Sequence, residues 1–314
     1  MLSACYFHAI LFPPCAPSPT RQTRLGFSFT PGGLLFPYHL GVAKALEENN
    51  FLAAEVPIAG SSAGALVCAV LGCNMSLDEA ARGASEICAD CREGGTQYRL
   101  RDVVEGCLER MLPEDAHDLI NTRKGKVSLA MTNLWPLPIG GVFVDKFNSR
   151  EDLIEVLLGS CCVPFWFSKY PFVQVRGKAT VDGVFSLPRK YFGAPNIPSA
   201  DQVVRVSVFP GSTLPVYSET EGDLISPDLL ESATYERMTD SPSIPLPNRS
   251  SSSLLRYLEL LKYALHPGTD EVLDELFDTG YQTGRIWIEE YGNSFKNGFL
   301  ETVTAVESVE SVEV

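Results

Sequence analysis

The chain has 314 residues, 45% of them hydrophobic, which is enough apolar mass for a substantial core in one large domain or two small ones. Its formal charge of −14 argues against a nucleic-acid reader, because such proteins concentrate lysine and arginine where phosphates bind. Apolar runs such as 65–71 and 161–167 are far shorter than the roughly 20 residues that cross a bilayer, so any membrane contact is expected to be peripheral.

Residues 1–24 contain no acidic residue, are proline-rich between Phe12 and Pro19, and gain Arg21 and Arg24 only at their end. They read either as an organelle-targeting leader, a plastid one included, or as a frayed terminus. Leu25-Gly26-Phe27-Ser28-Phe29 alternates as a strand and runs into Thr30-Pro31-Gly32-Gly33-Leu34-Leu35. Apolar residues at Leu40, Val42, Ala43 and Leu46 predict an amphipathic helix over 36–49. A short apolar run, Val56 to Ala59, then enters the pentapeptide Gly60-Ser61-Ser62-Ala63-Gly64, and an Ala/Leu/Val helix leaves it.

That G-x-S-x-G layout is a nucleophile elbow: the turn lifts the Ser62 hydroxyl clear of the backbone while Gly60 and Gly64 remove side chains that would collide. The plain alternative is a small-residue turn with Ser61 or Ser62 as an ordinary helix cap. The order strand, Gly-rich loop, helix, strand, elbow, helix implies a parallel sheet covered by helices. The Gly-rich loop lacks G-x-G-x-x-G, so it fails as a dinucleotide fingerprint. It suits an oxyanion loop, since parallel pairing sets the end of the first strand beside the strand that leads to Ser62.

Further along, Ser76 with Glu79 forms a capping box for a helix over 77–91, and 100–112 is a second amphipathic helix. Strands are predicted over 126–132 and 141–144, separated by Pro136 and Pro138, and Ser149 with Asp152 caps a helix to Gly159. The stretch 163–172 is the densest in aromatic residues. Phe165, Trp166 and Phe167 lie there on an irregular loop, where they either line an acyl pocket, dip into a lipid surface or fold into the core. A last strand covers 203–208, a Pro/Ser-rich loop 239–253, and helices 254–265 and 270–290. Nine scattered cysteines read as reduced core residues of an intracellular protein. Cys88-x-x-Cys91 has no second pair, so no metal site and no cofactor is expected.

With these pieces in view, the chain resembles the patatin-like phospholipase family, in its adipose triglyceride lipase and adiponutrin branch. The likeness is carried by the Gly-rich loop, Gly41-Val42-Ala43, Gly60 to Leu66, Leu112 to His117, Phe147 to Ile154, Ser160-Cys161-Cys162-Val163-Pro164, Asp182-Gly183, and Gly280-Tyr281-Gln282-Thr283-Gly284. It spans roughly residues 25–292. Pro31, Gly33 and Phe36 stand where the family's loop has three glycines, and Val184 stands where Gly or Ala follows Asp-Gly.

The resemblance implies an α/β protein, a three-layer α/β/α patatin-like fold with a mainly parallel central sheet and a C-terminal helical extension. On that reading 1–24 is a leader or disordered, 25–211 is the catalytic domain, 212–292 is the extension packed on it, and 293–314 is a disordered acidic tail. It implies Ser62 as nucleophile and Asp182 as base, with Gly183 shaping the turn that aims the carboxylate, and with Gly32, Gly33 and Leu34 as oxyanion donors. The expected reaction is hydrolysis of a glycerolipid acyl ester, or transfer of the acyl group, by a protein peripheral to a membrane or lipid droplet. Of the four histidines, His266 could complete a Ser62, Asp182, His266 triad in α/β-hydrolase order, although that fold normally places several strands before its elbow. A catalytically weak lipid-surface or regulatory protein of the same fold is the other alternative.

Overall fold

The computed structural model describes residues 24–185, 191–211, 222–232, 253–292 and 294–295. The leader, the loop over 239–252 and nearly all of the acidic tail lie outside those residues. The first half alternates as its sequence predicts. Strand β1 (Leu25–Phe29) leads through a short 3-10 turn (Gly33–Leu35) to α1 (Phe36–Glu48), and β2 (Ile58–Ser61) leads to α2 (Ala63–Gly72). Then come α3 (Leu77–Gly94), α4 (Leu100–Met111), α5 (Ala116–Thr122), the hairpin β3 (Val127–Trp135) and β4 (Gly140–Val144), and α6 (Arg150–Ser160). The caps read from sequence are in place: the Glu79 N–H donates to the Ser76 hydroxyl at 3.3 Å and the Asp152 N–H to the Ser149 hydroxyl at 3.2 Å. Strands β5 (Val173–Val175), β6 (Lys178–Asp182), β7 (Gln202–Val206) and β8 (Leu224–Ile225) follow, then α7 (Asp228–Ser232), α8 (Ser253–Leu265) and α9 (Asp270–Trp287).

The strands form one sheet in the order β5-β6-β3-β2-β1-β7-β8, with β4 also paired to β3. Pairs β1·β2, β1·β7, β2·β3 and β7·β8 are parallel, whereas β3·β4, β3·β6 and β5·β6 are antiparallel. One detail of this register builds the site. Strand β4 occupies one edge of β3 from Leu129 to Asn133. Strand β2 pairs with Val127 to Ala130 and β6 with Met131 to Trp135, so both share the opposite edge. The two run toward each other along it, and their C-terminal ends meet where Ser61 faces Ala130 and Asp182 faces Met131.

Alternation sorts the side chains between the faces. On one face Phe27 packs edge-on against Trp287 of α9, at 5.8 Å between ring centroids, and Phe29 packs against His39 of α1 at 5.9 Å. Helices α2 and α6 cover the same face, with Gly72 against Val127 and Gly159 against Met131. On the other face the Ser28 hydroxyl donates to the Pro195 carbonyl and the Ser61 hydroxyl to the Gly193 carbonyl, each at 2.6 Å. Over β1 and β2 the second covering layer is therefore irregular, turn-containing chain from 191 to 200. Helices α1 and α9 approach backbone to backbone, since a Cβ on Gly41 would strike the Phe277 carbonyl and one on Gly280 the Tyr38 carbonyl. Trp287, fully buried between Phe27 and Phe51, fastens α9 to the sheet and donates its indole N–H to the Gly222 carbonyl at 2.6 Å. No helix among the described residues is long and apolar enough to cross a membrane.

Candidate active site

Strand β2 ends at Ser61 and α2 begins at Ala63, which leaves Ser62 alone on the bend. Its backbone sits at φ 54°, ψ −126°, a conformation costly for a residue with a Cβ. The surroundings hold it there. A side chain at Gly60 would run into the Gly64 carbonyl, and one at Gly64 into the Phe29 carbonyl, so only glycines allow strand and helix to close around the turn. The Ser62 N–H donates to the Ser160 hydroxyl at 2.8 Å, and that hydroxyl donates to the Ala130 carbonyl at 2.7 Å.

Asp182 closes the opposing strand. Its N–H donates to the Cys162 carbonyl at 2.9 Å, its carbonyl accepts from the Thr132 hydroxyl at 2.8 Å, and its carboxylate accepts from the Val184 N–H at 2.9 Å. The carboxylate also faces the Ser62 hydroxyl. Burial disfavours its charged form and raises its pKa to about 6, against the smaller opposite pull of the Ser62 hydroxyl and the Val184 N–H. Gly183 has no room for a side chain, because Ser61 Cβ and the Ala130 carbonyl stand 2.8 and 3.0 Å from where its Cβ would be. Cys161 also touches the Ser62 hydroxyl, and burial holds its thiol protonated.

The Gly-rich loop lies beside this pair. Gly33 takes φ 54°, and the Leu35 N–H donates to the Gly32 carbonyl at 3.1 Å to close the turn. Among the described residues the N–H groups of Gly33, Leu34 and Ala63 donate to no other protein group. Gly33, Leu34, Ser62 and Ala63 all line one narrow cavity of about 90 Å³. Gly32 lies just behind it, its Cβ position 3.2 Å from the His39 ring and 3.6 Å from Ala63 Cβ. Burial lowers the His39 pKa to about 3, so this ring is a neutral part of the core. Pro31 rests on Gly193, which stands in the left-handed region at φ 73°.

A family model described as patatin-like phospholipase matches residues 28–192. The chain belongs to the patatin-like phospholipase family. Curated relatives include the mouse patatin-like phospholipase domain-containing protein 2, 28% identical over 279 residues that cover 87% of this chain and 51% of that protein. The mouse 1-acylglycerol-3-phosphate O-acyltransferase Pnpla3 is 26% identical, with 86% of this chain and 60% of that protein covered. The human patatin-like phospholipase domain-containing protein 4 is 32% identical over 169 residues, covering 51% of this chain and 64% of that protein. The chain thus spans about half the length of the first of these relatives. Among solved structures, VipD from Legionella pneumophila aligns over 85% of this chain and 67% of its own, at 12% identity and a TM-score of 0.48. ExoU of Pseudomonas aeruginosa, in complex with SpcU, aligns over 86% and 52%, at 13% identity and a TM-score of 0.43.

In this patatin-like phospholipase family member the structure brings Ser62, Asp182, Gly33 and Leu34 together, with Gly60, Gly64 and Gly183 shaping the bends. The aromatic trio divides. Trp166 and Phe167 line the cavity with Phe36 and Leu66, whereas Phe165, at φ 57° and 57% exposed, turns outward and is no part of that lining. His266 follows the end of α8 and stands edge-on to Trp166, 5.2 Å between centroids. Among the described residues no hydrogen bond joins it to Ser62 or Asp182. Sequence reasoning passed over Ser160, which appeared there only as part of a shared string, and read Cys161 as one of the reduced core cysteines. At the start of a helix Ser62 is expected beside unpaired N–H groups, and Ala63 supplies one of them.

Proposed function

We propose that the protein is a serine acyl-ester hydrolase acting on glycerolipids through a Ser62/Asp182 dyad. The observation that carries this reading is a serine on a positive-φ elbow whose hydroxyl faces a buried carboxylate with a pKa of about 6. A base with that pKa is mostly ionised at neutral pH and still takes a proton readily, which a carboxylate of ordinary pKa does poorly. Asp182 accepts the hydroxyl proton as Ser62 Oγ attacks the ester carbonyl, and the unpaired N–H groups of Gly33, Leu34 and Ala63 receive the developing oxyanion. Asp182 then protonates the leaving alcohol, and water releases the acyl-enzyme by the same relay. An acyl acceptor in place of water gives transacylation, a capacity in keeping with the acyltransferase name of one relative. Acylglycerols and glycerophospholipids supply the ester, and the apolar cavity receives the acyl chain. The protein meets them at a lipid surface, without a metal or cofactor.

The dyad is preferred over a Ser62, Asp182, His266 triad because the carboxylate faces the serine directly while His266 packs edge-on against Trp166. A fluorophosphonate probe tests the nucleophile and nitrophenyl butyrate tests turnover. Labelling of Ser62 is expected, with turnover lost in Ser62→Ala and Asp182→Asn and retained in His266→Ala. An unlabelled Ser62 together with no turnover rejects the enzyme and leaves a non-catalytic lipid-binding protein of this fold.

A further inference from the structure

Beyond the level where Ser61 faces Ala130, β3 continues past the end of β2 between β4 and β6, and the turn that joins it to β4 lies beyond Trp135, its last paired residue. Trp135 lies five positions beyond Ala130, an advance of at most about 17 Å at roughly 3.3 Å per residue. The tip reads Trp135-Pro136-Leu137-Pro138-Ile139. Its three large apolar side chains are 65%, 66% and 64% exposed, and Phe143 on β4 is exposed as well. The turn is held in shape, because the Asn133 side-chain amide donates to the Pro136 carbonyl at 2.6 Å and the Pro138 carbonyl at 3.0 Å. No residue from Val127 to Val144 carries a charge, and the hairpin base is closed by an ion pair between Lys126 and Asp145 at 2.7 Å. Single exposed apolar residues are ordinary on a protein surface; three crowded on one uncharged tip are not.

We infer that this tip is the element that enters a zwitterionic phospholipid surface and sets the Ser62 end of the sheet against it. The shape favours lipid over protein, since the apolar side chains stand on an exposed turn instead of lining a groove. The charge selects the kind of lipid. A chain at −14 is repelled by anionic headgroups, so the attachment is driven by apolar insertion. Trp135 is the residue type that settles at headgroup depth. Beside it Lys178, next to the Trp135 partner Ala179, is exposed and in no ion pair among the described residues, so its ammonium can meet a lipid phosphate. This inference extends the glycerolipid reading to the surface that presents the lipid, and it holds whichever residues perform the chemistry.

The test uses full-length Ser62→Ala protein and phosphatidylcholine vesicles, with partitioning measured by flotation at 0.15 and 0.5 M salt. The expected result is binding that persists in high salt and falls at least tenfold in the combined variant Trp135→Ser, Leu137→Ser, Ile139→Ser. Brominated phosphatidylcholine should quench the tryptophan emission of the parent and not that of Trp135→Phe, a milder change that keeps the tip apolar. Unchanged partitioning of the combined variant, or quenching that survives Trp135→Phe, overturns the inference. So does a dimer by sedimentation that the combined variant abolishes without any vesicle binding, which would assign the tip to a second copy. In the Ser62-intact background the combined variant should turn over nitrophenyl butyrate at the parental rate. Vesicle binding without any ester turnover sinks the hydrolase reading alone, and turnover without vesicle binding sinks the hairpin alone.

Discussion

At the scale of single residues, the site rests on a carboxylate whose charge the fold makes expensive. Below about pH 4 Asp182 is protonated in both folded and unfolded chains, and its burial costs nothing. As pH rises the unfolded chain ionises first, so stability falls until the folded carboxyl also ionises near pH 6. The cost above that point is on the order of 2–3 kcal/mol. Asp182→Asn should therefore melt above the wild type at pH 8 and level with it at pH 4, while turnover disappears; equal melting at pH 8 would show that burial is not what shifts this group. The wild type should lose kcat/KM on a soluble ester as pH drops through about 6, as the base becomes protonated. Ser160 holds the Ser62 backbone N–H and is not among the residues that line the cavity. Ser160→Ala strands the Ser62 N–H and the Ala130 carbonyl, so kcat should fall with little change in KM, and unfolding should come about 1–3 kcal/mol sooner. Restored kcat in Ser160→Thr would mark the hydroxyl as the cause. Ser62 was legible because a small-residue bend between strand and helix is a local signal, whereas Asp182 was singled out only through the family resemblance. Ser160 was not legible, because its partners lie 98 and 30 residues away.

The elements show the same division between local and distant information. Helices α1, α3, α4 and α6 were readable from their apolar spacing and caps, since both depend on neighbours within four residues. Strands β5 and β8 are three and two residues long, too short for alternation to stand out. Gly280-Tyr281-Gln282-Thr283-Gly284 was noticed as a string, and its purpose is visible only in α9 lying on α1. A methyl group at Gly280 must displace the Tyr38 backbone, so Gly280→Ala should cost about 1–3 kcal/mol in urea unfolding. Asp274→Ala, on the same helix, exposed and in no hydrogen bond or ion pair among the described residues, serves as the neutral control. A Gly280→Ala cost below about 0.5 kcal/mol would mean that α1 and α9 can part freely.

For the molecule as a whole, the family match ends at residue 192, yet the core does not. Phe27 on β1 and Phe51 after α1 are covered by Trp287, so a chain cut after residue 211 would expose the apolar face of its own first strand. Such a truncation should be recovered as aggregate, and the chain ended after residue 295 should stay soluble with the parental melting temperature; a soluble, cooperatively melting fragment ending at 211 would show that 25–211 folds alone. The strand-loop-helix order and the parallel pairing were foreseeable from the sequence, since an elbow between strand and helix leaves few topologies open. The meeting of β2 with β6 was not, because it is decided by which edge of β3 each strand takes. That arrangement makes the distance between hydroxyl and carboxylate a property of two consecutive residues, Ala130 and Met131. A designer could exchange any connecting loop for that of a cousin and leave this spacing alone, whereas one amino acid inserted between 130 and 131 would drive the two groups apart by a pleat.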